Sequence, residues 1–298
     1  MNNKLIAHLC LFGANLIYAI NYTVAKDVMP DFIQPLGFIF LRVSGALLLF
    51  WITFRLFFYQ KIERKDILKL VLCGLFGVAI NQMLFFKGLN LTTPINASVI
   101  MVTNPILVLI VGAILISEKI TYRKLIGIGF GAIGALTLIT QGGQLDIINK
   151  EHTIGNVLVL INACSYGVYL VMVKPLMKKY HPLTVISWIF LFGFLFVIPF
   201  GFQEFLMIDW NNMPNFIIYR VLFVVVATTF LAYLFNIIGL RSLNATTVSS
   251  YIYLQPILAT LVAILAQSDM LDWTKIASTI SIFFGVYLVS VNKTKVAS

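Results

Sequence analysis

The chain has 298 residues, 60% of them hydrophobic and only 11% charged, with a mean hydropathy of +0.96. That leaves too little polar surface to cover a water-soluble globule, so its solvent is largely lipid. The net charge of +10 and pI near 9.5 do not point to nucleic acid, because the basic residues fall in short clusters between apolar runs and report membrane orientation instead.

A bilayer core about 30 Å thick takes roughly 20 apolar residues per helix. Apolar runs predict ten spans, near Leu5–Ala25, Ile33–Phe54, Ile67–Lys87, Pro94–Ile116, Lys124–Thr140, Gly155–Lys174, Leu183–Phe202, Phe216–Leu240, Thr246–Gln267 and Thr274–Val291. The expected fold is all-α, a polytopic membrane protein. The first run follows a lone Lys4, is long and lacks a small-residue cleavage pattern, so it reads as a transmembrane helix rather than a cleaved signal. Ten spans put Lys4, Arg55, Lys61, Arg64, Lys65, Lys69, Lys119, Arg123, Lys124, Lys174, Lys178, Lys179, Arg241, Lys293 and Lys295 on one side. Only Lys26, Lys87, Lys150, Arg220 and Lys275 fall on the other. Short loops rich in Lys and Arg stay inside, so both termini are expected in the cytoplasm.

In the first span Asn15, Tyr18 and Tyr22 recur at spacings of three and four, one helical stripe, with Asn21 displaced from it. The second contains Arg42 between Leu41 and Val43, a costly position for a charge. It either meets a substrate carboxylate or serves as a structural anchor, reaching the interface or a carbonyl. The third span contributes Asn81 and Gln82, the fourth Asn96 and Asn104, and the sixth Asn162, Ser165, Tyr166 and Tyr169. Tyr233 and Asn236 follow in the eighth, and Ser250, Tyr253 and Gln255 in the ninth. Polar groups in spans face the bundle interior or water, which makes these the candidate substrate-binding residues; helix-to-helix hydrogen bonding is the alternative for each. Asn15, Tyr166 and Tyr253 are expected to line one cavity. Amides, hydroxyls and aromatic rings suit neutral, zwitterionic or amphipathic organic molecules and suit a small bare ion poorly.

Asn104–Pro105 and Gln255–Pro256 lie inside the fourth and ninth spans, where proline frees the carbonyl four residues earlier, those of Met101 and Ile252. Pro105 and Pro256 are therefore candidate hinges. Gly127, Gly131 and Gly134 form a small-residue stripe for close helix packing, of which the tenth span keeps Ser278 and Gly285. Cys10, Cys73 and Cys164 lack metal or disulfide spacing and read as buried free thiols. His8, His152 and His181 are scattered, and no nucleophile, base and orienting acid share a site, so neither an enzyme nor a cofactor is expected. The partners expected are the lipid bilayer and a small organic solute; the oligomeric state stays open.

A constant offset of 151 pairs Gly88 with Gly239, Pro105 with Pro256, Ser117 and Glu118 with Ser268 and Asp269, Lys124 with Lys275, and Gly134 with Gly285; an offset of 148 pairs Tyr18 with Tyr166 and Lys26 with Lys174. These matches indicate a duplication: 1–141 as a first five-helix repeat, 142–154 as a connecting loop and 155–298 as a second repeat. Five helices per repeat force the second half to insert upside down, the structural logic of alternating access. Glu118 and Asp269 read mainly as loop or cap charges, which leaves protons open as a coupling ion.

Four stretches carry a resemblance. They are Asn15 to Lys26, Pro35 with Phe40-Leu41-Arg42, Asn104-Pro105, and Ser117-Glu118-Lys119-Ile120-Thr121 before the fifth span. In their order and spacing the chain resembles the EamA-like branch of the drug/metabolite transporter superfamily. The second half departs from the pattern, with Ile189 in the region of Arg42 and Ser268-Asp269-Met270 in place of Ser117-Glu118-Lys119. The resemblance implies export or exchange of small organic metabolites such as amino acids across a bacterial cytoplasmic membrane, through a central cavity between the halves. A membrane sensor without turnover and a lipid-acting enzyme or flippase are the competing readings.

Overall fold

The computed structural model describes residues 3–57, 60–92, 97, 100–117, 119–140, 150–265 and 273–290. They form ten helical segments, and no β-strand occurs among them. We number these α1 (Asn3–Val28), α2 (Pro35–Phe57), α3 (Arg64–Leu91), α4 (Asn104–Ile116), α5 (Tyr122–Thr140), α6 (Lys150–Lys179), α7 (Pro182–Leu206), α8 (Asn215–Ser242), α9 (residues 245–265) and α10 (Trp273–Ser290). Six of them, α1, α2, α3, α6, α7 and α8, contain stretches long and apolar enough to cross a membrane. Large apolar side chains stand exposed along the outside, among them Leu48, Ile52, Ile114, Ile133, Leu195 and Phe283. Such a surface is untenable in water and normal against lipid chains.

Local chemistry sets the helix ends. Pro182 occupies the first turn of α7, where its missing N–H is no loss, and the His181 ring accepts a 3.4 Å hydrogen bond from the Leu183 N–H. Burial and the nearby Arg241 lower the pKa of His181 below the usual histidine value, favouring the neutral ring that this cap requires. At the start of α2 the N–H groups of Leu36 and Gly37 donate to the Glu204 carboxylate at the end of α7, at 2.8 and 2.9 Å. An anion thus meets the positive end of the helix dipole. Asn244 caps α9 by accepting from the Thr247 N–H at 2.6 Å.

Two helices carry a π-helical segment, at Leu75–Ile80 in α3 and Val224–Leu231 in α8. The wider turn leaves backbone carbonyls free for other partners. In α3 Ser165 donates to the Phe76 carbonyl at 2.6 Å and Tyr233 to that of Gly77 at 3.2 Å. Pro105 sits in the first turn of α4, and Pro256 lies inside α9. Residues 102–103 form a turn just before Asn104-Pro105, and a 3₁₀ turn at Tyr251–Tyr253 precedes Gln255-Pro256.

Helix α5 packs on α10, α2 on α7, α3 on α6, α1 on α8, α4 on α6, α1 on α9 and α4 on α9. The α5–α10 contact is backbone-close: a β-carbon at Gly127 would lie 2.8 Å from the Gly285 carbonyl oxygen, and one at Gly134 equally near that of Ser278. The glycine stripe therefore packs as its spacing predicts. Ion pairs tie α3 to α6 and α1 to α8. Lys179 contacts Asp66 and Glu63 at 2.6 Å each, while Arg220 contacts Asp27 at 3.1 Å. Lys26, near the end of α1, donates to the Asn90 carbonyl of α3 at 3.4 Å, and Lys174, near the end of α6, donates to the carbonyls of Leu240 in α8 and of Leu243 just past its end.

Several expectations are revised. Helix α6 runs from Lys150 past Pro175 to Lys179, longer at both ends than the span expected at Gly155–Lys174. Of the three thiols only Cys73 is buried, and Cys164 is exposed on the outside of α6. Glu118, Asp269 and Asn96 lie outside the described residues, as does 141–149 of the connection.

Candidate functional site

A cavity of about 90 Å³, room for several waters, lies among α1, α2, α3, α6, α8 and α9. Its wall includes Asn15, Tyr18, Asn21, Arg42, Asn81, Gln82, Asn162, Tyr166, Tyr233, Asn236 and Gln255. It is thus built from many of the polar residues that the sequence places inside spans. The wall is cross-linked by hydrogen bonds. Gln255 of α9 donates to Asn15 of α1 at 2.9 Å, and Asn236 of α8 donates to the Tyr18 hydroxyl at 3.1 Å. Gln82 of α3 donates to Tyr233 of α8 at 2.9 Å, and Asn162 of α6 donates to the Asn81 carbonyl at 2.7 Å.

Backbone carbonyls fix how several amides point. Asn162 gives its NH₂ to a carbonyl, so its Oδ1 is the remaining atom, and it has no partner among the described residues. Tyr233 donates to the Gly77 carbonyl and must therefore accept from Gln82, which leaves the Gln82 Oε1 without a partner. Asn21 Oδ1 and Thr228 Oγ1 on the same wall are also without partners.

Arg42 is buried, 3% exposed. Its Nε donates to Thr229 of α8 at 2.9 Å, and the Phe86 ring lies 4.5 Å from the guanidinium carbon. Its Nη1 has no partner, and no carboxylate is among the residues lining the cavity. Thr229 itself donates to the Val224 carbonyl at 2.7 Å, inside the π-helical segment of α8.

Tyr169 and Tyr253, both expected here, are not on the wall. Each ring fills a glycine notch: a β-carbon at Gly77 would come within 2.4 Å of Tyr169, and one at Gly131 within 2.2 Å of Tyr253. Tyr253 follows Ile252 by one residue and precedes Gln255 by two, so helical periodicity turns it away from the face those two share. Its hydroxyl donates to the Ile128 carbonyl of α5 at 3.4 Å. Of Asn15, Tyr166 and Tyr253, expected to line one cavity, Asn15 and Tyr166 stand on its wall and Tyr253 does not. Asn104 is buried against α6, its amide 3.5 Å from the Ala163 carbonyl, and Ser250 bonds back to the Thr246 carbonyl at 2.8 Å. Both serve helix structure in this conformation.

Sequence reasoning missed Phe85, Phe86, Thr228 and Val248, which also line the cavity. The two phenylalanines follow Asn81 and Gln82 by four residues, one helical turn, and that spacing was available to find them. Thr228 and Thr229 interrupt an otherwise apolar run in α8. Met101 and Ile252, the residues whose carbonyls proline is expected to free, both reach the wall.

Apolar helices with lipid-suited outer faces, packed around a cavity that many polar side chains line, define a multi-pass membrane protein. The model of the EamA-like transporter family matches twice, over residues 5–140 and 153–291, and the chain belongs to that family. It is similar to an uncharacterized transporter of Archaeoglobus fulgidus, 27% identical over 97% of this chain and 98% of the relative. The uncharacterized transporter YyaM of Bacillus subtilis is 23% identical over 95% and 93%. A probable terminal-alkyne amino-acid exporter of Streptantibioticus cattleyicolor matches at 26% over 45% of this chain and 44% of its own. A crystal structure superposes with a TM-score of 0.74 at 16% identity, covering 95% of this chain and 96% of that one, which bears on the fold alone.

Proposed function

We propose that the chain is a secondary transporter, an exporter or exchanger of small organic metabolites such as amino acids, working by alternating access at a bacterial cytoplasmic membrane with both termini inside. The observation that carries this reading is the cavity inside the helix bundle, where polar side chains stand among aromatic and apolar ones and whose wall draws on α1, α2 and α3 as well as α6, α8 and α9. A carrier must offer its solute such a site near the midplane, between two units that can rock against each other.

The halves 1–141 and 155–298 act here as inverted five-helix repeats. Their two family matches support this. So do the helix contacts: exchanging α1 with α6, α2 with α7, α3 with α8, α4 with α9 and α5 with α10 maps the pairing α1–α8 onto α6–α3 and α4–α6 onto α9–α1. Adding 151 to the π-helical segment 75–80 gives 226–231, inside the second one. The breaks before Pro105 and Pro256 and the lysines at the ends of α1 and α6 recur in the same sense. Pro105 and Pro256 would then be the hinges.

Counterflow into proteoliposomes tests the reading. Saturable uptake of at least one labelled solute from a panel of amino acids, hydroxy acids and neutral metabolites, driven by the same unlabelled solute inside, is expected. Movement of none of them would overturn it, and saturable binding without counterflow would make the protein a sensor.

A further inference from the structure

The cavity wall carries one cation and no carboxylate among its lining residues. An arginine side chain has five N–H donors and stays protonated. Here Nε is used, one face lies under Phe86, and Nη1 is orphaned. A structural arginine in lipid normally pairs with an acid or snorkels to the interface. Arg42 does neither: it is 3% exposed and faces the cavity. Water can satisfy orphaned N–H groups, but it cannot neutralise a buried charge. An anion can do both, and the guanidinium fork matches a carboxylate.

The other orphaned atoms on the wall add a second requirement. Asn162 Oδ1, Gln82 Oε1 and Asn21 Oδ1 are buried acceptors without donors, and a buried acceptor left unmatched is costly. The hydroxyl of Thr228, beside the threonine that holds Arg42, is also unmatched. We infer that Arg42 and Thr228 form an anion subsite, and that the molecule carried is a small carboxylate bearing its own N–H or O–H donors for the amide oxygens of Asn162, Gln82 and Asn21. This deepens the transport reading by naming the substrate class, yet binding can be tested without turnover.

The test measures binding to the purified protein, by calorimetry or ligand-induced thermal shift, with 2-amino and 2-hydroxy carboxylates each set against its own carboxamide. The native protein should prefer at least one carboxylate by tenfold or more. Arg42→Met should abolish that preference, while Arg42→Lys, which keeps a charge but not the planar fork, should retain part of it. Should Arg42→Met fail to fold, Thr228→Val leaves the Arg42–Thr229 contact in place and should weaken carboxylate binding several-fold without touching carboxamide binding. Equal binding of acids and amides, binding of no carboxylate, or a preference that survives Arg42→Met would overturn the proposal. Carboxylate-selective binding without counterflow would instead sink the transport reading and leave the subsite standing.

Discussion

Asn15 and Gln255 stand 240 residues apart in the chain and meet at 2.9 Å on the cavity wall, with the Asn15 NH₂ already committed to the Leu11 carbonyl. Because the acceptor is buried, removing its donor costs more than the bond itself contributes, about 1–3 kcal/mol. Gln255→Leu should destabilise the protein by about that amount in denaturant or thermal unfolding. Asn15→Ala and Gln255→Ala combined should fall short of the sum of the single losses by about 1 kcal/mol. Strict additivity would mean the contact is absent in solution. Residues of this kind are readable without a structure, because an amide in an apolar span has few places to go. Tyrosine is different. Tyr166 reaches the cavity while Tyr169 and Tyr253 settle on Gly77 and Gly131, since a tyrosine ring is as content in an apolar notch as at a polar wall. Arg42 could be singled out by its position, but only the absence of a carboxylate on the same wall separates an anion site from an ion pair.

At the scale of the helix, the close approach of α5 and α10 rests on a missing side chain. Gly285→Val would push into the Gly127 carbonyl and the Gly131 backbone, each 2.6 Å from the new β-carbon. Overpacking of this kind costs typically 1–3 kcal/mol, so the unfolding midpoint should drop clearly. Gly129→Ala meets nothing within 4 Å and should be neutral or slightly stabilising, given alanine's better helix propensity. Equal effects of the two would count against this packing. The cap on α7 gives a pH dependence. The neutral ring of His181 accepts from Leu183, and its pKa is lowered by burial and then by Arg241. A folded pKa below the unfolded value of about 6.5 means the contribution is fully present above that pH and is lost as pH falls from there through the lower folded pKa. Acidification from about pH 7 to 5.5 should lower the melting temperature, and His181→Asn, which keeps a cap without titrating, should flatten part of that slope. Helix existence and the two proline breaks follow from hydropathy and backbone chemistry. The π-helical segments do not, because one extra residue in a turn leaves no mark on an apolar run such as Leu75–Ile80 or Val224–Leu231.

For the molecule as a whole, the proposed transport requires two halves that expose one cavity to either side in turn. The ties between halves sit at opposite ends of the central helices: Asp27 with Arg220 where α1 ends and α8 begins, and Asp66 and Glu63 with Lys179 where α3 begins and α6 ends. Rocking requires breaking one set while the other holds. The proposed duplication rests on residues matched at near-constant offsets in the sequence, whereas these ties pair charges with no sequence relation and only emerge once the helices are packed. Replacing Asp66 and Lys179 by cysteines and joining them with a bifunctional thiol reagent should abolish counterflow, with recovery when a cleavable reagent is cut. The most direct measurement places a single cysteine at Tyr166 in a chain otherwise free of cysteine, with membrane-impermeant thiol reagents applied from each face of sealed vesicles. Labelling is expected from both faces; with 27 and 220 cross-linked beforehand through cysteines protected from later labelling, it should persist from the cytoplasmic face and vanish from the outer one. Labelling from neither face, or from one face only whatever the cross-link, would contradict a cavity that opens alternately to the two sides.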